Sequence, residues 1–439
     1  MNKNKKIPVV PKEMLVPFVL ITSLFALWGF ANDITNPMVS AFKKILELNN
    51  TQASWVQAAF YGGYFTMALP AAYVVKKFSY KTGILVGLAL YAIGALLFFP
   101  AAALENYAFF LAALYIITFG LAFLETTANP FILSMGDEAT ATQRLNLAQA
   151  FNPLGALMGL LVAQTFILGS LQSDDLDAQG NGIYETLSTS AKAAVKTADL
   201  ELIRNPYVGL GIFVALLLVV IAFVKMPEEA QTKKKLNLWN SIKRICKEEA
   251  FVGGVIAQLF YVGAQIMCWT YIYQYAENLG IDNRSAVNYA YAALIIFLLG
   301  RFICVYLLKF IHSGKLLMIL GFLAVCCCLG TIFIQGMGGL YALVLTSFCM
   351  SLMFPTIYGI ALNGLGDDAK PASAFLVMAI VGGAFMPILQ GMILDIGGQG
   401  YNDTLILGVP EVNFSFILPL ICFGVVALFG YRSMKTNVG

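Results

Sequence analysis

A series of long apolar runs constrains the fold of this chain more than any other feature. A run of roughly 20 apolar residues can cross the hydrocarbon core of a bilayer as a helix. Because no water in that core can pair with backbone groups, each spanning segment has to be helical. We therefore predict an all-α membrane protein with twelve transmembrane helices. The twelve runs lie near residues 16–42, 52–75, 81–100, 107–135, 145–168, 205–224, 250–276, 285–310, 315–335, 340–363, 372–396 and 412–431.

The composition agrees with this class and excludes others. The chain is 59% hydrophobic and only 12% charged, whereas soluble proteins carry about 25% charged residues. The net charge of +3 does not indicate a nucleic-acid partner. The eight cysteines lack the Cys/His spacing of a metal site, so we expect buried thiols and no bound metal. The basic N-terminus precedes a long apolar run without a small-residue cleavage site, which predicts a retained first helix.

The basic residues predict the orientation. If the N-terminus is cytoplasmic, most of the 27 Lys and Arg residues fall on the cytoplasmic side, as the positive-inside rule requires. Twelve spans then leave both termini in the cytoplasm, and the expected location is the inner (plasma) membrane. Two long loops are expected: an acidic outer loop near 169–204, and a basic cytoplasmic loop near 225–249.

The basic loop divides the chain into two similar halves. "KKFSYKTG" follows the second run and "LKFIHSGK" follows the eighth; "GDEATA" follows the fourth and "GDDAKP" the tenth. Weak repeats of this kind are typical of transporters built from two six-helix halves, as in the major facilitator fold. We predict an N-terminal half over 1–224, a linker over 225–249 and a C-terminal half over 250–439.

Two carboxylates lie inside predicted spans, where a charge costs about 2.5–3.5 kcal/mol on insertion scales. Asp33 is in the middle of the first span and Glu125 in the middle of the fourth, and neither span contains Lys or Arg. Burial without a cation favours the neutral acid, which can take up a proton on one side and release it on the other. We therefore assign proton coupling to Glu125 and Asp33; a structural ion pair or a polar helix contact is the alternative.

Other coupling ions and charges are less favoured. The single histidine, His312, is at the end of the eighth span, so a proton carrier at the midplane has to be a carboxylate. Sodium coupling stays open, because "NDITN" and "TTAN" offer oxygen ligands. Arg301 is the third charge within a span, and we expect it to snorkel or to make a structural contact.

Amides and tryptophans recur at helical spacing in several spans. Side chains three or four residues apart lie on one face of a helix, and amides can pair with the vicinal hydroxyls of a sugar while an indole stacks on its ring. The pattern predicts a midplane cavity for an uncharged sugar, with the first helix bent at Pro37. A cationic ligand stays open because Asp33 and Glu125 could bind one, and polar contacts between helices are the structural alternative. The predicted substrate-binding residues are Trp28, Asn32, Asp33, Asn36, Gln149, Asn152, Gln265 and Trp269.

Several longer segments resemble the fucose permease branch of the major facilitator superfamily. They are "SLFALWGFAND", "YGGYFTMALPA", "LETTANPFILSMGDE", "RLNLAQAFNPLGA", "AQLFYVGAQIMCWTY", "GRF" and "FPTIYGIALNGLG". The resemblance implies an inner-membrane symporter that imports L-fucose with a proton by alternating access. It further implies that Glu125 participates in proton translocation and that Gln149 and Asn152 line the sugar cavity. Trp28 and Trp269 match the tryptophans of the family.

The first helix departs from the family pattern. The functional aspartate of the family falls on Asn36, and a neighbouring asparagine falls on Asp33. The acid is thereby displaced by three residues, which is about 4.5 Å along a helix. A glucose or galactose permease of the same family, with either proton or sodium coupling, therefore remains an alternative assignment.

The sequence thus predicts a transporter rather than an enzyme. Its expected partners are a small sugar, protons and the lipid bilayer; the proton is the coupling ion, and we expect no cofactor, metal or nucleic acid and a monomeric state. A polytopic membrane enzyme is a remote alternative, because "SDDLD" in the outer loop could bind a metal. A sugar sensor that does not transport is another.

Overall fold

The structure is a computed structural model. It describes residues 8–35, 38–48, 50–167, 170–174, 183–224, 238–281, 283–394, 396 and 404–436. The first part of the chain forms helices α1 (Leu15–Thr35), α2 (Met38–Ile45), α3 (Asn50–Lys77), α4 (Tyr80–Leu96), α5 (Phe98–Ala103), α6 (Tyr107–Ser134), α7 (Ala141–Gln149), α8 (Asn152–Val162), α9 (Ile183–Thr186) and α10 (Thr189–Phe223).

The later part of the chain is also mainly helical. It forms α11 (Leu238–Ile245), α12 (Glu249–Thr270), α13 (Ile272–Asn278), α14 (Asn283–Leu307), α15 (Ser313–Phe333), α16 (Met337–Met350), α17 (Met353–Leu362), α18 (Ala369–Met378), α19 (Gly382–Leu394), α20 (Glu411–Phe414) and α21 (Ile417–Thr436). Strands β1 (Leu405–Ile406) and β2 (Val409–Pro410) pair antiparallel. A π-helical turn, Ala163–Ile167, follows α8.

Eleven helical segments in the described ranges are long and apolar enough to cross a membrane. They coincide with eleven of the twelve predicted runs. The remaining run is occupied by α3, whose 28 residues span about 42 Å at 1.5 Å per residue. Helix α3 is less apolar because it carries Gln52, Gln57 and two terminal lysines.

The predicted outer loop near 169–204 is partly wrong. Helix α10 begins at Thr189, well before the apolar run that starts near residue 205. The side chain of Ser188 accepts a hydrogen bond from the Ala191 N–H and caps the helix. The segment after this cap is rich in alanine, lysine and leucine, which favour helix without being apolar enough to mark a membrane span.

The chain divides into two compact units whose boundaries differ from the predicted halves. The larger unit comprises Met1–Val19, Asn129–Ala150 and Thr232–Gly439, and the smaller unit comprises Leu20–Ala128 and Phe151–Gln231. These units reflect contacts between residues, whereas the predicted halves reflect the sequence repeat. The division at the linker stays a prediction.

Within the larger unit, α15 packs on α16 and α21, while α12 packs on α17, α19 and α21. Helix α7 also belongs to this unit and packs on α17. At this contact the Asn146 side chain donates to the Thr356 hydroxyl at 3.0 Å, and both side chains are buried. Within the smaller unit, α10 packs on α4 and α5, and α2 packs on α3.

Candidate transport site

The predicted site residues fall into two groups, one within each unit. The smaller unit contains Trp28, Asn32, Asp33, Glu125 and Asn152. The larger unit contains Gln149, Gln265 and Trp269. Asn36 and Pro37 lie outside the described residues, so the predicted bend and the role of Asn36 stay predictions.

A close crossing of α1 and α8 positions Asn152. A methyl group at Gly29 would collide with the Asn152 carbonyl, and one at Gly155 would collide with the Ala26 carbonyl. Only glycine therefore allows the two backbones to approach this closely. The Asn152 Nδ2 donates to the Phe25 carbonyl at 3.2 Å, so this amide is held against the helix that carries Trp28 and Asp33.

Each predicted proton-coupling acid lies near a tyrosine of α3. Asp33 is within electrostatic range of the Tyr61 hydroxyl, and Glu125 is within electrostatic range of the Tyr64 hydroxyl. Tyr61 and Tyr64 are three residues apart and therefore lie on the same side of α3. The smaller unit thus places an acid of α1 and an acid of α6 near the same side of α3. Neither Tyr61 nor Tyr64 was among the predicted site residues.

Exposure differs among the predicted residues of the smaller unit. Asn32, Asp33, Glu125 and Asn152 are half-buried. Trp28 is only 5% exposed, and its Nε1 donates to the Leu121 carbonyl at 3.2 Å. Its indole therefore fixes the contact between α1 and α6, and stacking of a sugar on Trp28 stays a prediction.

Gln149 has a buried partner that was not predicted. Its Nε2 donates to the Asn129 Oδ1 at 2.7 Å, and Asn129 is fully buried. Asn129 lies four residues after Glu125 on α6, so the two side chains share a helix face. That spacing was visible in "LETTANP", but the pairing with Gln149 depends on how α6 and α7 pack.

Trp269 is half-buried in the larger unit and is fixed by two neighbours. Its Nε1 donates to the Ser347 hydroxyl at 3.1 Å. Its ring contacts Phe297 edge to face, with centroids 5.2 Å apart. Gln265 is also half-buried and lies four residues before Trp269 on α12, so the amide and the indole share one face of that helix.

Of the two outcomes expected for Arg301, the structure shows the structural contact and not snorkelling. Its side chain is only 3% exposed, and its Nη1 lies 3.4 Å from the Gln149 carbonyl. The guanidinium also lies over the Phe297 ring, 5.0 Å from the centroid. Packing within the larger unit thus encloses this cation, and the sequence position had left both a structural contact and snorkelling open.

The described residues offer no metal centre. No group of three or more His, Cys, Asp or Glu side chains among them could hold a metal ion. All eight cysteines are free thiols, and five of them are buried. The polar groups of the two units are instead amides, carboxylates, hydroxyls and indoles, which can bind and orient an uncharged hydroxylated molecule.

Comparison with known proteins decides the family. The sequence model of the Major Facilitator Superfamily matches residues 20–387. The chain belongs to the major facilitator superfamily. The match covers most of the chain, including every predicted site residue, and it confirms the predicted fold class.

The most informative relatives are transporters. The chain is 54% identical over 431 residues to the L-fucose-proton symporter of Haemophilus influenzae, covering 97% of this chain and 98% of the relative. It is 30% identical over 425 residues to a glucose/galactose transporter of Brucella abortus, covering 95% and 93%. A crystal structure of the Escherichia coli fucose:proton symporter superposes with a TM-score of 0.84 at 34% identity, covering 96% of this chain and 99% of that one.

These similarities confirm that the chain is a membrane transport protein and not an enzyme. The relatives named here match nearly the whole chain, and their names are those of transporters.

Proposed function

We propose that this chain imports L-fucose together with a proton by alternating access. The observation that carries the proposal is the 54% identity, over nearly the full length of both chains, to a protein named as an L-fucose-proton symporter. The grouping of Asp33, Glu125 and Asn152 in one compact unit supports it, because this unit combines acids for a proton with an amide for a sugar hydroxyl.

In the proposed cycle Glu125 takes up the coupled proton. Neutralising an acid lowers the free energy of enclosing it in a low-dielectric protein interior, so protonation favours closure around the sugar. Asp33 binds the sugar or shares the proton. The sugar hydroxyls form hydrogen bonds with the side-chain amides of Asn32, Asn36, Asn152, Gln149 and Gln265. The sugar ring makes apolar contact with Trp269 and Trp28.

The location and state of the protein belong to the same proposal. The chain works as a monomer in the inner (plasma) membrane, with both termini in the cytoplasm. The excess of Lys and Arg in the predicted cytoplasmic segments supports this orientation. The proton is its coupling ion, and no further cofactor is required.

A hexose permease is the second candidate. The similarity to a glucose/galactose transporter favours it, as does the acid at position 33 in place of 36. A displacement of three residues moves the acid by about 4.5 Å along the helix axis. The acid can therefore reach a different sugar hydroxyl. Uptake of fucose, glucose and galactose into proteoliposomes, driven in turn by proton and sodium gradients, separates the candidates and the coupling ions.

The role of Glu125 is tested by Glu125→Gln in the same proteoliposomes. We expect this variant to lose sugar accumulation against a gradient, because the amide cannot carry the proton. It should still exchange labelled for unlabelled fucose, because exchange needs no net proton movement.

Glu201→Gln is the matched control, since Glu201 lies on the surface in an ion pair with Arg204. It should accumulate fucose as the unmodified protein does. Continued accumulation by Glu125→Gln would rule out the proposed proton carrier. Accumulation of glucose or galactose but not fucose by the unmodified protein would replace the first candidate with the second.

A further inference from the structure

The fifth predicted span contains a backbone carbonyl that its own helix cannot satisfy. Helix α7 ends at Gln149 and α8 begins at Asn152. In a continuous helix the Gln149 carbonyl would accept the N–H of the residue four positions later. That residue is Pro153, which has no N–H. The carbonyl therefore needs another donor, and along the chain it precedes the next predicted sugar-binding amide, Asn152, by three residues.

Arg301 of α14 supplies that donor. Its Nη1 lies 3.4 Å from the Gln149 oxygen, and the two residues are 3% and 6% exposed. A cation is also favoured there because the C-terminus of α7 carries a partial negative charge. Among the described residues no carboxylate forms a salt bridge with Arg301, and its Nε has no hydrogen-bond partner. The carbonyl is thus a principal polar contact of this buried cation.

The same guanidinium is connected to Trp269, the predicted sugar-stacking residue of this unit, through the Phe297 ring. Phe297 and Arg301 are four residues apart on α14, and the guanidinium lies 5.0 Å from the Phe297 centroid. The Phe297 ring contacts the Trp269 ring at 5.2 Å and 81°. Phe297 is only 4% exposed, so it has little freedom to move apart from these neighbours. A continuous series of contacts therefore connects Gln149, Arg301, Phe297 and Trp269.

We propose that Arg301 is a positioning residue for sugar binding. It holds the Gln149 main chain at the break before Pro153 and, through Phe297, holds the Trp269 indole. One cation thereby sets the separation of a hydrogen-bonding amide and a stacking ring within the larger unit. The importance of that separation for transport rests on the proposed function.

The first test uses Pro153→Ala as a rescue. Arg301→Lys keeps the charge but replaces the planar, forked donor with a compact ammonium. We expect Arg301→Lys to raise the KM for fucose about tenfold in exchange assays, with a smaller effect on the maximal rate. Pro153→Ala restores an N–H that can donate to Gln149 within the helix. The double variant should therefore recover a KM within about threefold of the value for Pro153→Ala alone.

The second test needs no substrate. The four tryptophans are Trp28, Trp55, Trp239 and Trp269, so replacing the first three with Phe leaves Trp269 as the single reporter. In this background Arg301→Lys should increase quenching of Trp269 by acrylamide in detergent without sugar. Phe297→Leu should do the same while Arg301 is retained, and it serves as the second variant if Arg301→Lys does not melt cooperatively.

Arg144→Lys is the matched control, because Arg144 is also buried and donates to main-chain carbonyls, those of Ile132 and Leu133. It should lower the melting temperature, and Pro153→Ala should not restore that melting temperature.

Failure of Pro153→Ala to restore the KM of Arg301→Lys would overturn the role through the Gln149 carbonyl. Unchanged Trp269 quenching in both Arg301→Lys and Phe297→Leu would overturn the role through Trp269. If the unmodified protein transports none of the sugars, the proposed function fails, while the quenching experiment still tests the positioning.

Discussion

At the scale of single residues, several polar side chains turn out to be paired with protein atoms. Gln149 donates to Asn129, and Trp28 donates to a main-chain carbonyl of α6. Both contacts fix the direction in which a predicted binding residue points. A sequence pattern can place such residues on a helix face, but it does not show which of their donors are already occupied.

Replacing Asn129 should weaken sugar binding without uncoupling the proton. In Asn129→Ala the Nε2 of Gln149 loses its acceptor, and an unsatisfied buried donor costs about 1–3 kcal/mol. We expect the KM for sugar to rise about tenfold, which is about 1.4 kcal/mol, while accumulation at saturating sugar persists. Exchange and uptake assays measure the two effects.

Asn146→Ala provides the comparison, because it also removes a buried side-chain hydrogen bond, the one to Thr356. It should lower the melting temperature and leave the KM within about twofold. A larger KM effect in Asn146→Ala than in Asn129→Ala would contradict the assignment of Asn129.

At the scale of helices, α1 and α8 cross at a point where their backbones are in close contact. Hydropathy identified both helices, yet it did not indicate which of the many glycines lie at a contact. The carbonyls of Ala26 and Asn152 occupy the space where side chains at Gly155 and Gly29 would lie. These two positions therefore depend on tertiary packing and not on the helix propensity of glycine.

Adding one methyl group at this crossing should disrupt the smaller unit. Gly155→Ala forces α1 and α8 apart, and overpacking of this kind typically costs about 1–3 kcal/mol. We expect a melting temperature lower by several degrees and a loss of most transport, because Asn152 is displaced. Thermal unfolding in detergent and uptake in proteoliposomes test this.

Gly209→Ala is the matched variant, since no atom lies within 4 Å of a Cβ at Gly209. Alanine favours helix over glycine by about 1 kcal/mol, so the melting temperature should not fall. Equal behaviour of the two variants would show that the crossing is looser than described.

At the scale of the whole molecule, side chains outside the spans tie the long helix α10 to neighbouring loops. Glu105 pairs with Lys196 at 3.1 Å and accepts a hydrogen bond from Thr197. Asp199 is fully buried and accepts from the N–H groups of Gln172 and Ser173 at 2.9 Å each. These contacts hold the part of α10 that extends beyond its apolar run.

The Glu105 contact should make stability depend on pH. The hydrogen bond from Thr197, together with Lys196, lowers the pKa of Glu105 below its ordinary value of 4.5. A group whose pKa is lowered in the folded state stabilises the protein at pH values above its ordinary pKa. That stabilisation is lost as the pH falls through the folded-state pKa. Because the ion pair is about one-third exposed, the contribution should be only about 0.5 kcal/mol.

We therefore expect Glu105→Gln to melt slightly below the unmodified protein at pH 7, with the difference disappearing at acidic pH. Glu201→Gln should show a smaller difference at pH 7, since its ion pair with Arg204 is more exposed on the Glu side. A difference for Glu105→Gln that grows as the pH falls would have the wrong sign and would contradict the pKa direction.

The sequence by itself determined the membrane class, eleven of the spans and the location of two acids within helices. Each of these depends on local hydropathy or on spacing along one helix, which can be evaluated without knowing any neighbour. The N-terminal extension of α10 was missed because its residues favour helix without being apolar.

Only the tertiary structure decided which side chains meet. The pairing of Gln149 with Asn129, the burial of Arg301 and the glycine crossing at Gly155 each join residues from different helices. Such contacts depend on how helix faces pack against one another, and periodicity along one segment does not specify the partner face. The physical reason is that hydrophobic burial is non-directional, whereas hydrogen bonds and close packing require particular atoms at particular distances.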